Sequence, residues 1–437
     1  MKRKRRGVSF GTTVMLVLLA VTLGGSVFVV LRLAGNGSID LARVAGALQM
    51  EKGDQKIEDI RIQQDSAAQP GGPGEASQAA AAVPQPTQTP ASAVPSGGKG
   101  AETQRAVLTF GGTTAIETEV RRSCYFSDTK KYDFTDMFQP LREAFQADWS
   151  CVFLENILSD DYKVNASIVP ASAAELMSSA GIKAAFGGFS GIYDKGQAGL
   201  ESTRRALESQ GILTPGLEAN GELTVLNGIR FYIGAYTGTI SASSRKSMAK
   251  NGDDAAVPAA DPAAIQQDIQ NARAGGAEAV IILIHWGRDG KNVDKSQRQM
   301  AQQIAEAGAD VIIGSGSRIP QAAEMISVTG TDGRPHQTLC VYSLGTLLSG
   351  NRNNAKRLGS YLLHVTFDKG PDGAALTGMS YTPVYIWRYK QDGKFNYRCV
   401  PVNGKAPDGM DSEQMKTMEK AGNAVADVLT GSPLTVR

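Results

Sequence analysis

The sequence predicts an α/β fold, in which helices cover both faces of a sheet, for the part of the chain that follows residue 104. Two observations support this class. Short, continuously apolar segments such as VIILI, residues 280–284, are typical of strands that are buried on both faces. Between them lie segments in which apolar residues recur at helical spacing, and several of these segments end at a glycine. Strands that alternate with helices in this way are typical of α/β proteins.

Strands are expected where apolar and β-branched residues run together. The segment ELTVLNGIRFYIGAY contains Asn227-Gly228 between two such runs, and an Asn-Gly pair in that position is a strong signal for a β-hairpin. In chain order, the predicted strands are AVLTFGG, WSCVFLEN, IKAAFGG, the two strands of this hairpin, AEAVIILIHWG, ADVIIGSG, TLCVYSLG, SYLLHVTFD and MSYTPVYIWRY.

Helices are expected where apolar residues recur every three or four positions. LESTRRALESQG is amphipathic and stops at Gly211, and SAAELMSSAG stops at Gly181. The other predicted helices are DMFQPLREAFQ, AAIQQDIQNARAGG, SQRQMAQQIAEAG and, in the C-terminal tail, DSEQMKTMEKAGNAVADVLTG.

The N-terminus predicts a membrane anchor. Residues 1–7 include the basic run KRKRR, and residues 8–31 contain no charged residue. About 20 apolar residues suffice to cross the hydrocarbon core, and a preceding basic block stays in the cytoplasm. We therefore expect one transmembrane helix over 8–31, a signal anchor, with the N-terminus cytoplasmic and the C-terminal domain extracytoplasmic. The alternative is a cleaved signal peptide, whose apolar region is usually shorter, and both alternatives export the domain.

The next segment, residues 32–104, predicts a juxtamembrane stretch followed by a disordered linker. Its second half is rich in Pro, Ala, Gln, Ser and Gly and has no apolar periodicity, so that it cannot bury enough surface to offset chain entropy. The folded domain is expected over 105–402, with a helical tail over 403–437. The linker would hold this domain away from the membrane.

Charge and cysteine content limit the classes of function. The 437-residue chain has a formal net charge of +2, which indicates no nucleic-acid partner. Its four cysteines, Cys124, Cys151, Cys340 and Cys399, lie in the part expected to be exported, where disulfides are permitted. The alternative, which we favour, is that they are small buried residues. Their spacing matches no zinc motif.

Polar residues at strand ends are the candidates for chemistry. His285 ends the apolar run of ILIHWG and can act as a metal ligand or as an acid or base. Glu155 ends the run of VFLEN and can bind a cation. Asp194 lies in the glycine-rich loop FGGFSGIYDKG, whose spacing matches no nucleotide-binding motif. For each residue the alternative is a structural role, as a buried polar contact or in the following turn.

The loop GSGSRIP follows the predicted strand ADVIIGSG. Its backbone N–H groups, Ser315, Ser317 and Arg318 can together bind an anion, because backbone donors and a guanidinium both favour negative charge. The alternative is a solvated turn. The serines form no nucleophile elbow, and neither His336 nor His364 lies where a serine triad can be inferred.

Four segments, taken in order, are the most specific part of the sequence: GIYDKGQAGLESTRRALESQGI, VIILIHWG, IAEAGADVIIG with the later Gln321, and VYSLG. They resemble the CapA family of capsule and poly-γ-glutamate synthesis proteins. The resemblance covers residues 107–367 and implies a calcineurin-like metallophosphoesterase sandwich, in which two sheets are flanked by helices. It also implies a metal site at the strand ends, built from Asp, Asn and His residues.

Most of the metal-site positions implied by this resemblance carry other residues. The HWG motif is intact at residues 285–287, and Glu155 keeps the acid of the family's NLE motif. Asp194 keeps the Asp of NNHxxDxG, but its Asn and His are absent. The predicted vestigial pocket consists of Gly112, Glu155, Gly191, Asp194, His285, Trp286, Ser315, Arg318 and Thr346.

The remaining donors do not suffice for the family's chemistry. His285 and Glu155 alone do not hold a catalytic metal, and Arg318 brings a positive charge to the place where a cation would bind. The resemblance and these departures together predict a fold that is retained without metal-dependent hydrolysis and without a cofactor.

Three functions stay open on the sequence alone. The favoured one is a membrane-anchored, non-catalytic protein of capsule, poly-γ-glutamate or other cell-envelope polymer synthesis or export. It would bind a polymer, with Arg318 suited to an anionic one, or a membrane protein of polymer synthesis. The second is a hydrolase with altered, metal-poor chemistry that uses His285 with Glu155 or Asp194. The third is an adaptor whose pocket binds no ligand.

Overall fold

A computed structural model describes residues 18–23, 26–31, 104–217, 220–252, 257–330, 333–371, 373–391 and 393–437. The predicted cytoplasmic segment 1–7 and all of the predicted linker except residue 104 lie outside these described residues. The described strands, in chain order, are β1 Leu18–Leu23, β2 Ser26–Leu31, β3 Gln104–Thr114, β4 Tyr125–Phe126, β5 Lys131–Tyr132, β6 Trp149–Leu154, β7 Ile157–Leu158, β8 Ile168–Val169, β9 Ala184–Phe186, β10 Gly221–Leu226, β11 Ile229–Thr237, β12 Ala279–His285, β13 Val311–Ser315, β14 Ala323–Thr329, β15 Pro335–Val341, β16 Thr346–Leu348, β17 Gly359–Gly370, β18 Gly373–Gln391, β19 Lys394–Pro401 and β20 Thr435–Val436. The described α-helices are α1 Thr118–Ser123, α2 Arg142–Phe145, α3 Glu175–Ser179, α4 Gly196–Glu208, α5 Ala242–Asn251, α6 Pro262–Ala274, α7 Lys295–Glu306 and α8 Ser412–Val428.

The described part of the predicted transmembrane segment consists of two strands. β1 pairs antiparallel with β2, so the structure differs here from the single helix predicted over 8–31. Two features of the sequence favour strands: β-branched residues are frequent, and Gly24-Gly25 separates the two halves. Within the described ranges, no helix is both long enough and apolar enough to span a bilayer.

The first sheet of the domain formed by the described residues from 104 onward, which we call sheet I, has the strand order β10-β11-β12-β13-β15-β14. Its four central strands run parallel, and a hairpin adds one antiparallel strand at each edge. The β10–β11 hairpin turns at Asn227 and Gly228, whose φ angles are 48° and 82°. Asn and Gly tolerate this left-handed backbone, so the hairpin predicted from the Asn-Gly pair is confirmed.

The second sheet, sheet II, has the strand order β19-β18-β17-β3-β6-β9. β16 pairs with β3, and β20 pairs with β18. β3, β6 and β9 run parallel, while β17, β18 and β19 form an antiparallel meander beside them. The carboxyl ends of β3 and β6 therefore lie side by side at one edge of the sheet, where they deliver the loops that follow them.

The two sheets pack face to face around a shared apolar core. Phe231 of sheet I and Phe367 of sheet II meet edge to face in this core, with ring centres 5.1 Å apart. In β12, Ala279, Ile281 and Leu283 face the shared core, while the residues between them pack with α6 and α7 on the outer face. The outer face of sheet II packs with α1 to α4. The predicted α/β sandwich of two sheets flanked by helices is thus confirmed.

The C-terminal tail is packed into the domain. α8 begins with a capping box between Asp411 and Gln414, and it contacts β17 and β18. Val425 of this helix joins the core between the sheets, and β20 extends sheet II. The helix predicted in the tail is present, and its burial makes residues 412–436 an integral part of the sandwich.

All four cysteines are free and buried. Burial raises the pKa of the Cys124 and Cys151 thiols to about 12, so that both stay protonated at neutral pH. Cys340 and Cys399 are also fully buried, and their pKa values are raised for the same reason. The favoured interpretation of the cysteines as small buried residues agrees with this arrangement.

A buried histidine makes the stability of the domain depend on pH. His364 of β17 is 3% exposed, and its ring nitrogens lie 2.9 Å from Thr109 Oγ1 and 3.0 Å from Thr382 Oγ1. Burial, with a smaller effect from Arg437, lowers the pKa of His364 to about 4. The unfolded chain, with an ordinary histidine pKa of about 6.5, binds the proton first as the pH falls.

We therefore expect stability to be complete above about pH 6.5 and to fall between about pH 6.5 and 4, by up to about 3 kcal/mol from His364. Urea unfolding at a series of pH values measures this loss. The His364→Gln variant, which cannot take up the proton, should show a flatter profile over the same window. Parallel profiles for the two proteins would rule out His364 as the cause.

Candidate functional site

Polar side chains from both sheets meet at the carboxyl ends of parallel strands, the usual place for sites in α/β proteins. His285 is the last residue of β12, and its register partner Ser315 is the last residue of β13. Arg318 lies in the loop that follows β13. From sheet II come Glu155, directly after β6, and Glu117, three residues after β3. Arg318 lies within 4 Å of both Glu155 and Glu117, and His285 lies within 4 Å of Glu155.

An ion pair between Arg318 and Glu155 joins the two sheets. Nε and Nη2 of Arg318 donate to Oε2 of Glu155, at 2.8 and 2.5 Å. Glu155 is 8% exposed, and a carboxylate so far removed from water needs a partner for its charge. Burial alone would lower the pKa of Arg318, but the carboxylates of Glu155 and Glu117 outweigh burial and raise it. The guanidinium therefore stays charged.

A second carboxylate, Glu117, lies on the other side of the guanidinium. Its Oε1 is 3.4 Å from Nη1 of Arg318. Its Oε2 accepts hydrogen bonds from the hydroxyl of Ser349 at 2.7 Å and from the N–H groups of Gly350 and Asn351 at 3.1 and 3.0 Å. The loop after β16 is thus tied to the same cluster. Two carboxylates and one guanidinium leave the cluster with one net negative charge.

The loop after β13 has the backbone that this pairing needs. Arg318 has a φ of 57°, in the left-handed region that residues with a side chain rarely adopt. Its carbonyl oxygen accepts a hydrogen bond of 2.6 Å from the buried hydroxyl of Thr346. Gly316 has a φ of 97°, and a Cβ there would lie 2.8 Å from the carbonyl oxygen of Gly287. Glycine therefore permits the close approach, and Thr346 holds the strained residue.

His285 lies beside Glu155 without a direct hydrogen bond. The distance from its Nε2 to Oε1 of Glu155 is 3.8 Å, which is too long for one. Burial is the main reason why the pKa of His285 is lowered; Arg318 adds to this effect, and Glu155 opposes it. The imidazole is therefore neutral at pH 7. Oε1 of Glu155 instead accepts a hydrogen bond of 3.3 Å from Thr113.

Three buried polar atoms at these strand ends have no hydrogen-bond partner within the part of the chain that the structure describes. They are Nδ1 of His285, Oγ of Ser315 and Oγ1 of Thr114, the last residue of β3. Buried polar atoms in folded proteins are almost always paired, with protein groups or with water. An ordered water is the group that commonly satisfies buried atoms of this kind.

Asp194 has a different set of partners from the other predicted pocket residues. Its Oδ1 accepts hydrogen bonds from the hydroxyls of Ser241, Ser243 and Ser244, at 3.1, 2.6 and 2.7 Å, at the N-terminus of α5. Gly191 lies in the same loop, where a Cβ would be 3.4 Å from Oδ2 of Asp194. The structure thus places a carboxylate at the positive end of a helix, which is a stabilising position.

Two further predicted pocket residues have packing roles. Gly112 lies at an irregularity of β3, and a Cβ there would collide with the carbonyl oxygen of Gly345 in the loop before β16. Trp286 donates from Nε1 to the carbonyl oxygen of Tyr342 at 3.0 Å and stacks on its ring. Gly112 lets the loop approach the first strand, and Trp286 fills the outer face of sheet I next to His285.

The donor set does not fit the divalent metal that the family resemblance implies. Among the described residues, no group of three or more His, Cys, Asp or Glu side chains is arranged to hold an ion. Catalytic metal sites usually use at least three protein ligands. The guanidinium of Arg318 also lies against Glu155, and two like charges about 4 Å apart repel by about 4 kcal/mol near a protein surface.

Sequence reasoning missed Glu117. The residue follows the first strand of the folded domain, as Glu155 follows the next. A signal for it was present, because parallel neighbouring strands bring the residues after them to one edge of the sheet. The pairing of β3 with β6, which would have placed the two carboxylates together, depends on contacts that are distant in sequence.

The Arg318→Met variant should lose about 3–5 kcal/mol of stability, because it leaves Glu155 and Glu117 without their cation. Urea unfolding at pH 7 measures the loss. Adding Glu155→Gln to this variant should recover part of it, since the buried charge is then removed. The matched control is Arg122→Met, which removes an exposed ion pair with Glu119 and should cost less than about 1 kcal/mol. Equal losses for the two arginines would contradict a structural role of the ion pair.

Comparisons with known proteins address the family. The solved structure of the calcineurin-like phosphoesterase YfkN from Bacillus subtilis is similar to this chain, with a TM-score of 0.33 and 13% sequence identity. The match covers 75% of this chain and 99% of that chain. None of the curated proteins compared with the sequence matches it. The family model of the bacterial capsule synthesis protein PGA_cap matches residues 107–351, which is more than half of the chain. The predicted relationship to the capsule proteins is therefore confirmed, and the chain belongs to the PGA_cap family of bacterial capsule synthesis proteins.

Proposed function

We propose that this protein is a membrane-anchored, extracytoplasmic and non-catalytic member of its family. It acts in the synthesis or export of capsule, poly-γ-glutamate or another cell-envelope polymer, by binding the polymer or a membrane protein that makes it. Family membership supports the link to an envelope polymer. The uncharged segment 8–31 behind a basic block supports the anchor and the extracytoplasmic location.

The ion pair of Arg318 is the observation that carries the non-catalytic role. In a metal-dependent phosphoesterase, the ion binds a water molecule and lowers its pKa until it becomes a nucleophile. Arg318 supplies a positive charge beside Glu155 and Glu117, but a guanidinium offers only N–H donors and has no open coordination position. The cluster thus pairs its two carboxylates with a cation that does not activate water.

The same ion pair bears on how a polymer binds. Because Arg318 is paired with two carboxylates, the cluster presents one net negative charge and no uncompensated cation. An anionic polymer therefore gains little from Arg318, although the sequence alone favoured that contact. The loop is better suited to a neutral group or to a partner protein, and an anionic polymer needs cations at another part of the surface.

A second candidate function is a hydrolase with altered, metal-poor chemistry. The observation in its favour is that Nδ1 of His285 and Oγ of Ser315, which belong to register partners on neighbouring strands, both lack a hydrogen-bond partner among the described residues. A neutral imidazole can accept a proton. One water molecule can bridge the 3.8 Å between Nε2 of His285 and Oε1 of Glu155. Against it stands the guanidinium of Arg318, which occupies the other oxygen of the same carboxylate.

The proposal predicts that the purified protein retains no stoichiometric Mn, Fe or Zn after incubation with each metal and dialysis, as measured by elemental analysis. It also predicts no hydrolysis of a simple phosphodiester above the level of the His285→Asn variant. Bound metal at one ion per chain would overturn the non-catalytic role. Turnover that falls about 100-fold or more in His285→Asn would establish the second candidate, because a general base contributes at least that much.

The membrane anchor predicts that the full-length protein stays in the membrane fraction after alkaline carbonate extraction and that its intact mass includes residue 1. Protease added to spheroplasts, from which the outer layers of the cell envelope have been removed, should digest the domain of residues 104–437. A variant that lacks residues 1–31 should remain in the cytoplasm and resist the same protease. An intact mass that begins after residue 31 would instead indicate the cleaved signal peptide.

A further inference from the structure

The strand β10 leaves one side of sheet I unpaired. It is the last strand in the order of the sheet, and it pairs with β11 in a register without a shift. The hairpin turns in two residues, so that Leu226 and Ile229 form its closing hydrogen-bonded pair. Because such pairs alternate along a strand, Leu223 and Val225 direct their N–H and C=O groups away from β11. Within the part of the chain that the structure describes, no hydrogen bond reaches these groups.

Apolar side chains lie exposed along the same strand. Leu223 and Val225 are 48% and 62% exposed. Both belong to the outer face of sheet I, since side chains alternate along a strand and Leu226 packs against the core between the sheets. Beside the strand, Leu213 is 44% exposed and lines a groove together with Glu222. The unpaired side of β10 is therefore also an apolar surface, and such surfaces usually mark an interaction site.

The other outer edges of sheets I and II differ from this one. In β14, at the opposite edge of sheet I, the described residues expose no large hydrophobic side chain, and Glu324 forms an ion pair with Arg298. β19 is covered, because the N–H of Cys399 donates to the carbonyl oxygen of Met137 at 2.9 Å. β9 is covered by the segment around Leu213, which pairs with it in parallel. β10 has no Lys, no Pro and no bulge, the features that usually protect an edge strand from partners.

The sequence of β10 is complementary to itself in one antiparallel register. When a twofold axis passes through Thr224, Leu223 of each copy lies opposite Val225 of the other copy. Both residues direct their backbone groups to the unpaired side, so each of these pairs exchanges both of its N–H···O bonds. The apolar side chains of each pair also meet on the outer face, where cross-strand apolar neighbours stabilise a sheet. One register thus satisfies the backbone and covers the exposed side chains.

Charge favours this register over its neighbours. Glu222 is the charged residue of β10, and it lies opposite Leu226 of the other copy. The two Glu222 carboxylates are then about 14 Å apart along the strands, which exceeds the screening length of about 8–10 Å. A register centred on Glu222 would place like charges opposite each other, which is destabilising. A register centred on Leu223 would place Val225 opposite Gly221, which offers no side chain.

The part of the linker that lies next to the domain in sequence fits this edge less well than a second copy does. Residues 66–95 contain repeated prolines, which have no N–H group to donate to a neighbouring strand. Residues 96–103, SGGKGAET, offer no large apolar side chain to cover Leu223 or Val225. A second copy of β10 supplies both the backbone donors and the apolar side chains.

We propose that β10 is a self-association interface, at which two copies of this chain join their sheets I into one continuous sheet around a twofold axis at Thr224. This inference goes beyond the proposed function, because it concerns neither the Arg318 cluster nor the binding of a polymer. A pair of six-residue strands is a small contact beside the area of about 1,200–2,000 Å² that stable protein–protein interfaces bury. We therefore expect free and paired copies to be in equilibrium.

Disulfide crosslinking of the Thr224→Cys variant, made in the full-length protein in detergent, tests the interface. A residue on the twofold axis forms a non-hydrogen-bonded pair with its own copy, and the Cα distance of about 4.5 Å in such a pair suits a disulfide. The variant should crosslink to itself about 10-fold faster or more than Ser327→Cys, a matched control at an exposed position of the edge strand β14. The native cysteines do not compete, because all four are buried and their raised pKa values keep them protonated at neutral pH.

Paired substitutions test the register. Leu223→Lys/Val225→Lys, added to Thr224→Cys, places Lys opposite Lys and should slow crosslinking about 10-fold or more. Leu223→Lys/Val225→Glu places Lys opposite Glu when the axis passes through Thr224, and it should crosslink within about 3-fold of the rate of Thr224→Cys alone. Both substituted side chains are exposed, and thermal unfolding of each variant checks that the domain remains folded.

The proposal is wrong if Thr224→Cys crosslinks no faster than Ser327→Cys. It is also wrong if the variant with two Lys substitutions crosslinks as fast as Thr224→Cys alone, or if the variant with Lys and Glu crosslinks as slowly as the one with two Lys. In cells, a crosslink from Thr224→Cys to a different protein, without the self-crosslink, would assign β10 to another partner and would likewise overturn the second copy as its occupant.

Discussion

The pairing of Arg318 with Glu155 is the contact on which the strand-end region depends. It joins a loop of sheet I to a strand end of sheet II, and it neutralises a carboxylate that is 8% exposed. An uncompensated buried charge costs several kcal/mol, more than any single turn conformation. This cost explains three local features together: the left-handed backbone of Arg318, the hydrogen bond that its carbonyl oxygen accepts from Thr346, and the glycine at position 316. All three allow the guanidinium to reach the carboxylate of Glu155.

This pairing also explains how the fold persists without the ligands of a metal site. Two carboxylates at one strand edge repel each other unless a cation lies between them. Arg318 is such a cation, and it belongs to the chain, so that the arrangement needs no bound ion. The consequence for chemistry is direct. A guanidinium can balance and orient carboxylates, but it does not activate a bound water molecule as a metal ion does, and this difference supports the proposed non-catalytic role.

The sequence predicted the features that depend on neighbouring residues and missed those that depend on distant ones. The buried strands, the Asn227-Gly228 hairpin and the main helices follow from local patterns, and the structure contains them. The edge strand β14 was not predicted, because its half-exposed sequence forms a strand only beside β15. In the site, Glu155 and Arg318 were identified, but their pairing and the role of Glu117 required the strand order. Asp194 was grouped with them by its motif, whereas its partners are the serines at the start of α5.

A cluster whose cation is already paired with two carboxylates leaves the recognition of an anionic polymer to other parts of the surface. The cations beside Phe126 and Phe395 are in contact with solvent, so each contributes little on its own and is screened by salt. Each exposed ring likewise offers only a small stacking energy. A small ligand that engages one such contact is released quickly, whereas a chain that engages several at once is held by the sum of them. A surface that offers several weak contacts therefore suits a polymer better than a small molecule.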